Sequence, residues 1–439
     1  MTDISKHFSN FNFQSLISNS NYSVRETPQL SIAKYNHNVK PEYPTNEYFN
    51  MYCRGVIVNT ETNQIVCLPT PRSCQVWQMT DLLNSHTEDM DIILEPLLDG
   101  TMINLFYNVA DSDWEISTRT VIGAECRWTS DKSFRDMFNE IVEKSFHDKS
   151  KFFGQFSKDT SYSFVMKHVD NRIVTPVNEN ELILVDAYKL EYVDNVNKVY
   201  KIDIHAFYND LIADDLENKG EELENDHNIY GFSVIKVLKC EKLTGENNDT
   251  LMTDFLDVIT KYSLENVSYM NQGYTLKIGE FRINFKSDLY ETVKYLKGNS
   301  PKKLYSYIEQ RYNGTLTEYL KYFKEDIDKY SLYREKIHIM TQELYDFYCS
   351  TFKQKITSLK EDVPYQLKPL CYELHGIYLE TRKPVHFKMV QDYVNKFPPQ
   401  RMYFVLKYYF TLPESKDNPA SENTHIRFDE ETGEIMEQP

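Results

Sequence analysis

Near residue 290 the period of the apolar residues changes, and that change constrains the fold more than any other feature of the chain. Before it, apolar residues come in short alternating runs broken by Asn, Asp, Gly and Pro. The runs are MYCRGVIVN, QIVCLPTP, DIILEPLLDG, TMINLFYN, DWEISTRTVIG, SYSFVMKHV, RIVTPV, ELILVDAYKL, YGFSVIKVLK and YTLKIGEFRINFK. Alternation sends successive side chains to opposite faces of a strand, so these runs predict an antiparallel sheet with turns at the breaks. One helix is expected among them, over about 130 to 146, with Ser130 as its cap. After 290, in SPKKLYSYIEQRY, TLTEYLKYFKEDIDKY and QELYDFYCSTFKQKITSLK, apolar residues recur every three or four positions, as on a helix face. Pro384 and the pair Pro398-Pro399 punctuate two more helices. The fold class is therefore α+β, with a sheet domain over 1–295, an all-helical domain over 296–411, and a polar, acidic tail over 412–439 expected to be disordered.

Charge excludes one broad function class. The net charge of the 439 residues is -17, which argues against a generally basic nucleic-acid binder. Residues 210–226 carry -7 of it and residues 412–439 carry -6, leaving about -4 for everything else. A nearly balanced body leaves room for a local basic groove. The seven cysteines are scattered without Cys-x-x-Cys spacing, which fits a reducing, cytoplasmic setting. The sequence holds no run of about 18 apolar residues, and no membrane is expected as a partner. His86, His147, His168 and His227 have no carboxylate or cysteine spacing that defines a metal site.

The ordered series CRGVIVN, LLDGTMINLFYN, WEISTRT, SFVMKHVDNRIV with ELILVDAYK, IYGFSVIK and RINFKSDLY resembles the motifs of the ATP-dependent RNA ligases of the phage tRNA-repair type. The resemblance covers roughly residues 50 to 290, and in those ligases a helical C-terminal domain follows. It implies a covalent nucleotidyltransferase fold. In that family the lysine of a Lys-x-Asp-Gly motif attacks the α-phosphate of ATP and keeps AMP on its side-chain nitrogen. The corresponding residue here is Leu97, which cannot form a phosphoramidate. The purine- or ribose-contacting Glu of the family falls on Val165, and its metal-holding Glu falls on Tyr230. Two phosphate-binding lysines fall on Asn284 and Lys286. Arg54-Gly55, Asp99-Gly100, Thr118-Arg119 and Asn171-Arg172 match the family's motifs.

These matches imply a pseudoenzyme with no catalytic residue and no resident metal or cofactor, beyond a nucleotide held without a covalent adduct. Arg54, Leu97, Asp99, Arg119, Val165, Arg172, Tyr230 and Lys286 are its candidate nucleotide- or RNA-binding residues. The expected partner is RNA, at a 5′ end or cap, because aromatic stacking and cation attraction suit a base. Two alternatives stand beside it. One is an active ligase or nucleotidyltransferase with a relocated lysine, for which Lys34, Lys40, Lys167 and Lys236 are candidates. The other is a protein-interaction scaffold in viral mRNA handling or translation, with the tyrosine-rich helices or the acidic tail meeting a protein partner.

Overall fold

The computed structural model describes residues 1–8, 11–36, 49–74, 92–146, 149–210, 235–237, 241–243, 268–411, 427–428 and 435–436. The chain divides into two compact units, Met1–Glu291 and Thr292–Pro439. Among the described residues no helix is long and apolar enough to cross a membrane.

The first unit is built from strands β1 (Thr2–Asp3), β2 (Tyr22–Glu26), β3 (Leu30–Tyr35), β4 (Arg54–Asn59), β5 (Ile65–Cys67), β6 (Ile92–Pro96), β7 (Thr101–Asn108), β8 (Asp113–Ser117), β9 (Thr160–Lys167), β10 (Glu181–Val193), β11 (Val196–Lys201), β12 (Ile235–Val237), β13 (Glu241–Leu243), β14 (Gly273–Ile278) and β15 (Phe281–Lys286). They form three sheets: β1-β11-β10-β9-β7-β8 with β12 beside β10, then β13-β6-β14-β15, then β2-β3-β4-β5. Pairing is antiparallel except between β10 and β12. The α+β class follows, and the alternating runs are divided among three sheets rather than laid in one.

Strand β9 shows how alternation builds this unit. Tyr162, Phe164 and Met166 enter a core with Ile103 and Leu105 of β7, Leu182 and Leu184 of β10, and the helix Phe134–Ser145. Ser161, Ser163 and Val165, on the opposite parity, line the other face. The helix itself is capped by Ser133 rather than Ser130. The Ser133 hydroxyl accepts from the Asp136 N–H while the Asp136 carboxylate accepts from the Ser133 N–H. This reciprocal pair satisfies two first-turn donors, which a serine three residues earlier cannot do. The run RIVTPV is not a strand but a loop, held through its main chain as described below. Of YGFSVIKVLK only Ile235–Val237 lies within the described residues.

A second core lies under β2–β5. Val56 and Val58 of β4 pack there with Leu94 of β6, Leu276 and Ile278 of β14, and Ile283 of β15. Phe106 of β7 joins Ile32, Ile57 and Cys67, tying the first sheet to the third.

The second unit holds helices Lys303–Asn313, Leu316–Tyr322, Ile327–Tyr348, Lys368–Thr381, Phe387–Asn395 and Pro399–Thr411, the last opened by its proline. Its aromatic stripe is core: Tyr307, Tyr319, Phe323, Tyr330 and Tyr333 are buried, with Tyr319 stacked on Phe323 at 4.5 Å between ring centres. Asp326 is buried beneath them and is neutralised by Lys303 at 2.6 Å. Of residues 412–439 only two short strands, Arg427–Phe428 and Ile435–Met436, are described.

Candidate functional site

On the face of β9 that carries Ser161, Ser163 and Val165, the serine hydroxyls hold a neighbouring segment. Ser161 donates to the Leu68 carbonyl and accepts from the Leu68 N–H, both at 3.1 Å, and Ser163 accepts from the Thr70 N–H at 3.2 Å. Both serines are fully buried, so these bonds are strongly specified. The segment continues to Pro71, whose carbonyl accepts from the Arg54 guanidinium at 3.2 Å, and to Arg72, whose N–H donates to the Met51 carbonyl. Arg54, the first residue of β4, and Arg72 are thus set beside one another by these two bonds.

Arg119 reaches the same place by a different route. The Thr118 hydroxyl accepts from the N–H groups of Thr120 and Val121 and closes a tight turn after β8 with Arg119 at its tip. That turn lies against Gly55, which has φ +111°, and a Cβ there would sit 2.8 Å from the Arg119 carbonyl oxygen. The expectation that Arg119 lies in a strand is therefore corrected, since β8 ends at Ser117.

The electrostatics of this cluster are lopsided. Burial is the largest influence lowering the Arg54 pKa, to about 9, and the charges of Arg119, Arg282 and Arg72 lower it further. The Arg119 side chain is reached by solvent, yet the protein around it still lowers its pKa by desolvation. Among the described residues none of Arg54, Arg72 and Arg119 has a carboxylate partner. Arg282 does: it faces Glu95 at 3.6 Å and Asp186 at 3.4 Å, while Lys277 pairs with Glu95 at 2.9 Å. Burial would raise the Asp186 pKa, but Lys277, Arg282 and Lys201 outweigh it and hold the carboxyl below its ordinary range.

The Asp-Gly turn lies beside Val165. A Cβ on Gly100 would sit 2.5 Å from the Val165 Cγ1, so no side chain fits there. Asp99 is buried and accepts from the N–H groups of Val174 and Thr175, at 2.9 and 2.8 Å, and from the Thr175 hydroxyl at 3.1 Å. Its second oxygen accepts from the Tyr290 hydroxyl at 2.7 Å. Asp99 is thereby a structural acceptor that ties the turn to the Asn171–Thr175 loop. In that loop Asn171 donates to the Thr101 hydroxyl and Arg172 donates to the Val174 carbonyl. Leu97 is half-buried just past β6, its N–H donating to the Gly273 carbonyl at 2.8 Å. Val165 packs with Ile183, Val185, Leu98 and Met102, so the position to which the resemblance assigned an acid is an apolar cluster.

The remaining sequence candidates are scattered. Lys286 closes β15 and pairs with Glu291 at 3.3 Å. Asn284 accepts from the Thr275 hydroxyl at 3.0 Å. Lys34 stands across from Arg54 in the β3–β4 pair. Lys167 and Lys236 both face Glu181, the former at 3.7 Å. Tyr230, Lys40, His86, His147 and His227 lie outside the described residues.

Two groups escaped the sequence reading. Arg72 sits in a loop run with no periodic signal, and only the serines of β9 reveal where that loop goes. His168 is brought against Glu140 and Asp170 by folding, with ligand-type atoms of all three within 4.8 Å of one another. The Lys132 ammonium stands at this cluster, 2.8 Å from each carboxylate. His168 Nδ1 accepts from the Asp170 N–H, leaving Nε2 toward Glu140 at 3.2 Å. One lysine thus offsets part of the negative charge of the two carboxylates.

No family model and no curated protein matches the chain. Among solved structures it is similar to a putative ATP-dependent DNA ligase from Aquifex aeolicus, with 11% identity, a TM-score of 0.37, and 84% of this chain and 80% of that one covered. An archaeal ATP-dependent RNA ligase gives 10% identity and a TM-score of 0.38 over 68% of this chain and 64% of that one. A Naegleria gruberi RNA ligase variant with ATP and manganese gives 11% and 0.33 over 50% and 56%.

Proposed function

We propose that this protein is a ligase-like pseudoenzyme that binds an RNA 5′ end, phosphorylated or capped, without transferring a nucleotide. The observation that carries the reading is the cluster of Arg54, Arg72 and Arg119, three guanidinium groups with no carboxylate partner among the described residues. Arg54, partly desolvated and flanked by like charges, costs free energy without a counter-charge, and an arriving phosphate removes that cost. Covalent chemistry has no comparable support. Leu97 and Val165 are apolar, and the acid that would hold a metal is replaced by Tyr230.

Relocation of the nucleophile leaves Lys34, across from Arg54, as its candidate among the described residues, because Lys167 and Lys236 are both engaged by Glu181. An amine held in an ion pair is kept protonated and is a poor nucleophile.

The test is incubation of the purified protein with α-labelled ATP or GTP and divalent metal, followed by denaturing electrophoresis, beside filter binding of 5′-triphosphorylated and capped RNA. The expected result is no labelled protein, and RNA retention that Arg54→Ala abolishes. A labelled band refutes the pseudoenzyme; unchanged retention by Arg54→Ala refutes the site.

A further inference from the structure

The RNA ligase resemblance implies a divalent metal at the phosphates, and the residues present do not fit one. Four carboxylates of the first unit, on β6, on β10 and in the Asp-Gly turn, are already committed. Glu95 is held by Lys277 and Arg282, and Asp186 by Arg282. Glu181 is held by Lys167 and Lys236. Asp99 accepts from two main-chain N–H groups and two hydroxyls. Magnesium needs oxygen ligands with spare negative charge, and none of these acids offers it without breaking a buried bond. The unspent charge is positive instead, on Arg54, Arg72 and Arg119.

Those three residues come from β4, from the loop pinned by Ser161 and Ser163, and from the turn after β8. The 3.2 Å bond from Arg54 to Pro71 brings the Arg72 segment to Arg54, and the backbone contact at Gly55 brings Arg119. A divalent cation entering among them would meet repulsion. A chain of phosphates would meet three forked donors, and its charge matches three guanidinium groups better than a single phosphomonoester does.

We infer that this arginine cluster binds the 5′-polyphosphate of a nucleotide or of an RNA end without divalent metal, with Arg72 as a binding residue alongside Arg54 and Arg119. The inference rests on the function proposed above and adds to it the ligand chemistry and the absence of a metal requirement. Guanidinium groups here take the neutralising part that a metal ion plays in phosphoryl-transfer sites.

The experiment uses the full chain and fluorescence anisotropy of a short RNA labelled at its 3′ end, carrying either a 5′-triphosphate or a 5′-hydroxyl. Each is titrated in magnesium and in EDTA, with unlabelled ATP as competitor. The triphosphate RNA is expected to bind within about twofold equally in both buffers, and Arg72→Gln to weaken it by ~10-fold or more, the scale of one charge-assisted contact. Full displacement by ATP identifies the free nucleotide as sufficient; partial displacement identifies the RNA end. Binding only with magnesium overturns this inference and leaves the function proposed above standing. Equal binding of the 5′-hydroxyl RNA overturns the polyphosphate assignment, and no binding in either buffer overturns both. Should Arg72→Gln fail to fold, the magnesium and EDTA comparison on the unaltered protein decides the matter.

Discussion

Gly55 and Arg119 are in backbone contact: a Cβ at 55 would lie 2.8 Å from the Arg119 carbonyl oxygen and 2.9 Å from its Cα. Gly55 also has φ +111°, a region that other residues rarely enter. Gly55→Ala is therefore strained twice, by its own backbone and by the turn it pushes away. We expect it to lower the unfolding free energy by about 2 kcal/mol or more. RNA binding should fall further than the fraction of unfolded protein accounts for, because the displaced turn carries Arg119. Denaturant unfolding and anisotropy on the same sample test this; a variant as stable as the parent would refute the contact.

Arg54 is a cation that the fold disfavours. Burial, and then the charges of Arg119, Arg282 and Arg72, hold its pKa below the ordinary arginine value, so its charge opposes folding at neutral pH. Arg54→Met should accordingly make the empty protein more stable by about 1 kcal/mol while removing phosphate binding. Inorganic pyrophosphate should raise the melting temperature of the parent and leave that of the variant unchanged. A less stable Arg54→Met would mean that the Pro71 contact outweighs the charge.

Asp99 and Tyr290 form a unit with a different character. Removing the carboxylate by Asp99→Ala leaves the Val174 and Thr175 N–H groups and the Tyr290 hydroxyl without their acceptor, at a cost of roughly 3 kcal/mol. Tyr290→Phe alone should cost about 1.5 kcal/mol, the scale of a hydrogen bond to a charged group. In the Asp99→Ala background it should cost less than half of that, because the partner is already gone. Additive losses in this double-mutant cycle would contradict the bond.

How far the sequence carried the reading can be judged from these same residues. The periods found most strands of β4 to β15 and the helices after residue 300, because alternation and three-to-four spacing are local properties. Asp99-Gly100 was found as a motif, but its tie to Tyr290 spans 191 residues and has no local signal. Arg119 was identified and assigned to the wrong kind of element, since a strand and the turn that ends it share one apolar run. Arg72 was missed because the segment leading to it is held by the Leu68–Ser161 and Thr70–Ser163 bonds, each spanning 93 residues. His168 met Glu140, 28 residues earlier, only through folding, as spacing in the chain does not reveal such proximity.

His168 supplies a pH dependence. Burial lowers its pKa, and the opposing charges of Asp170 and Glu140 do not restore it; Lys132 works in the same direction as burial. The folded value therefore lies below the unfolded one, near about 6.5. As pH falls through that value the unfolded chain takes up the proton first, so stability declines from about pH 6.5 downward until the folded value is passed. Asp170, whose pKa is depressed by Lys132, contributes a further loss only at lower pH. Unfolding midpoints between pH 7.5 and 5 should fall less steeply for His168→Gln than for the parent. Parallel profiles would show that His168 titrates freely.

Leu97→Lys returns a lysine to the position from which the resembling ligases attack ATP. An amine alone does not restore the reaction, which needs a deprotonated nucleophile and counter-charge for the leaving pyrophosphate. The neighbouring acid is absent, because Val165 packs against Leu98, Met102, Ile183 and Val185 beside Gly100. At position 230 the sequence has tyrosine. The single variant should give no labelled protein with α-labelled ATP and magnesium under conditions where a competent ligase is fully adenylylated. The combination Leu97→Lys, Val165→Glu, Tyr230→Glu and Asn284→Lys restores each position the resemblance marks as changed and is expected to produce a band, at the expense of stability where a carboxylate enters the Val165 cluster. A band from Leu97→Lys alone would mean that the rest of the catalytic apparatus is intact and that one substitution silenced it. The arginine cluster would then be the remainder of a working enzyme.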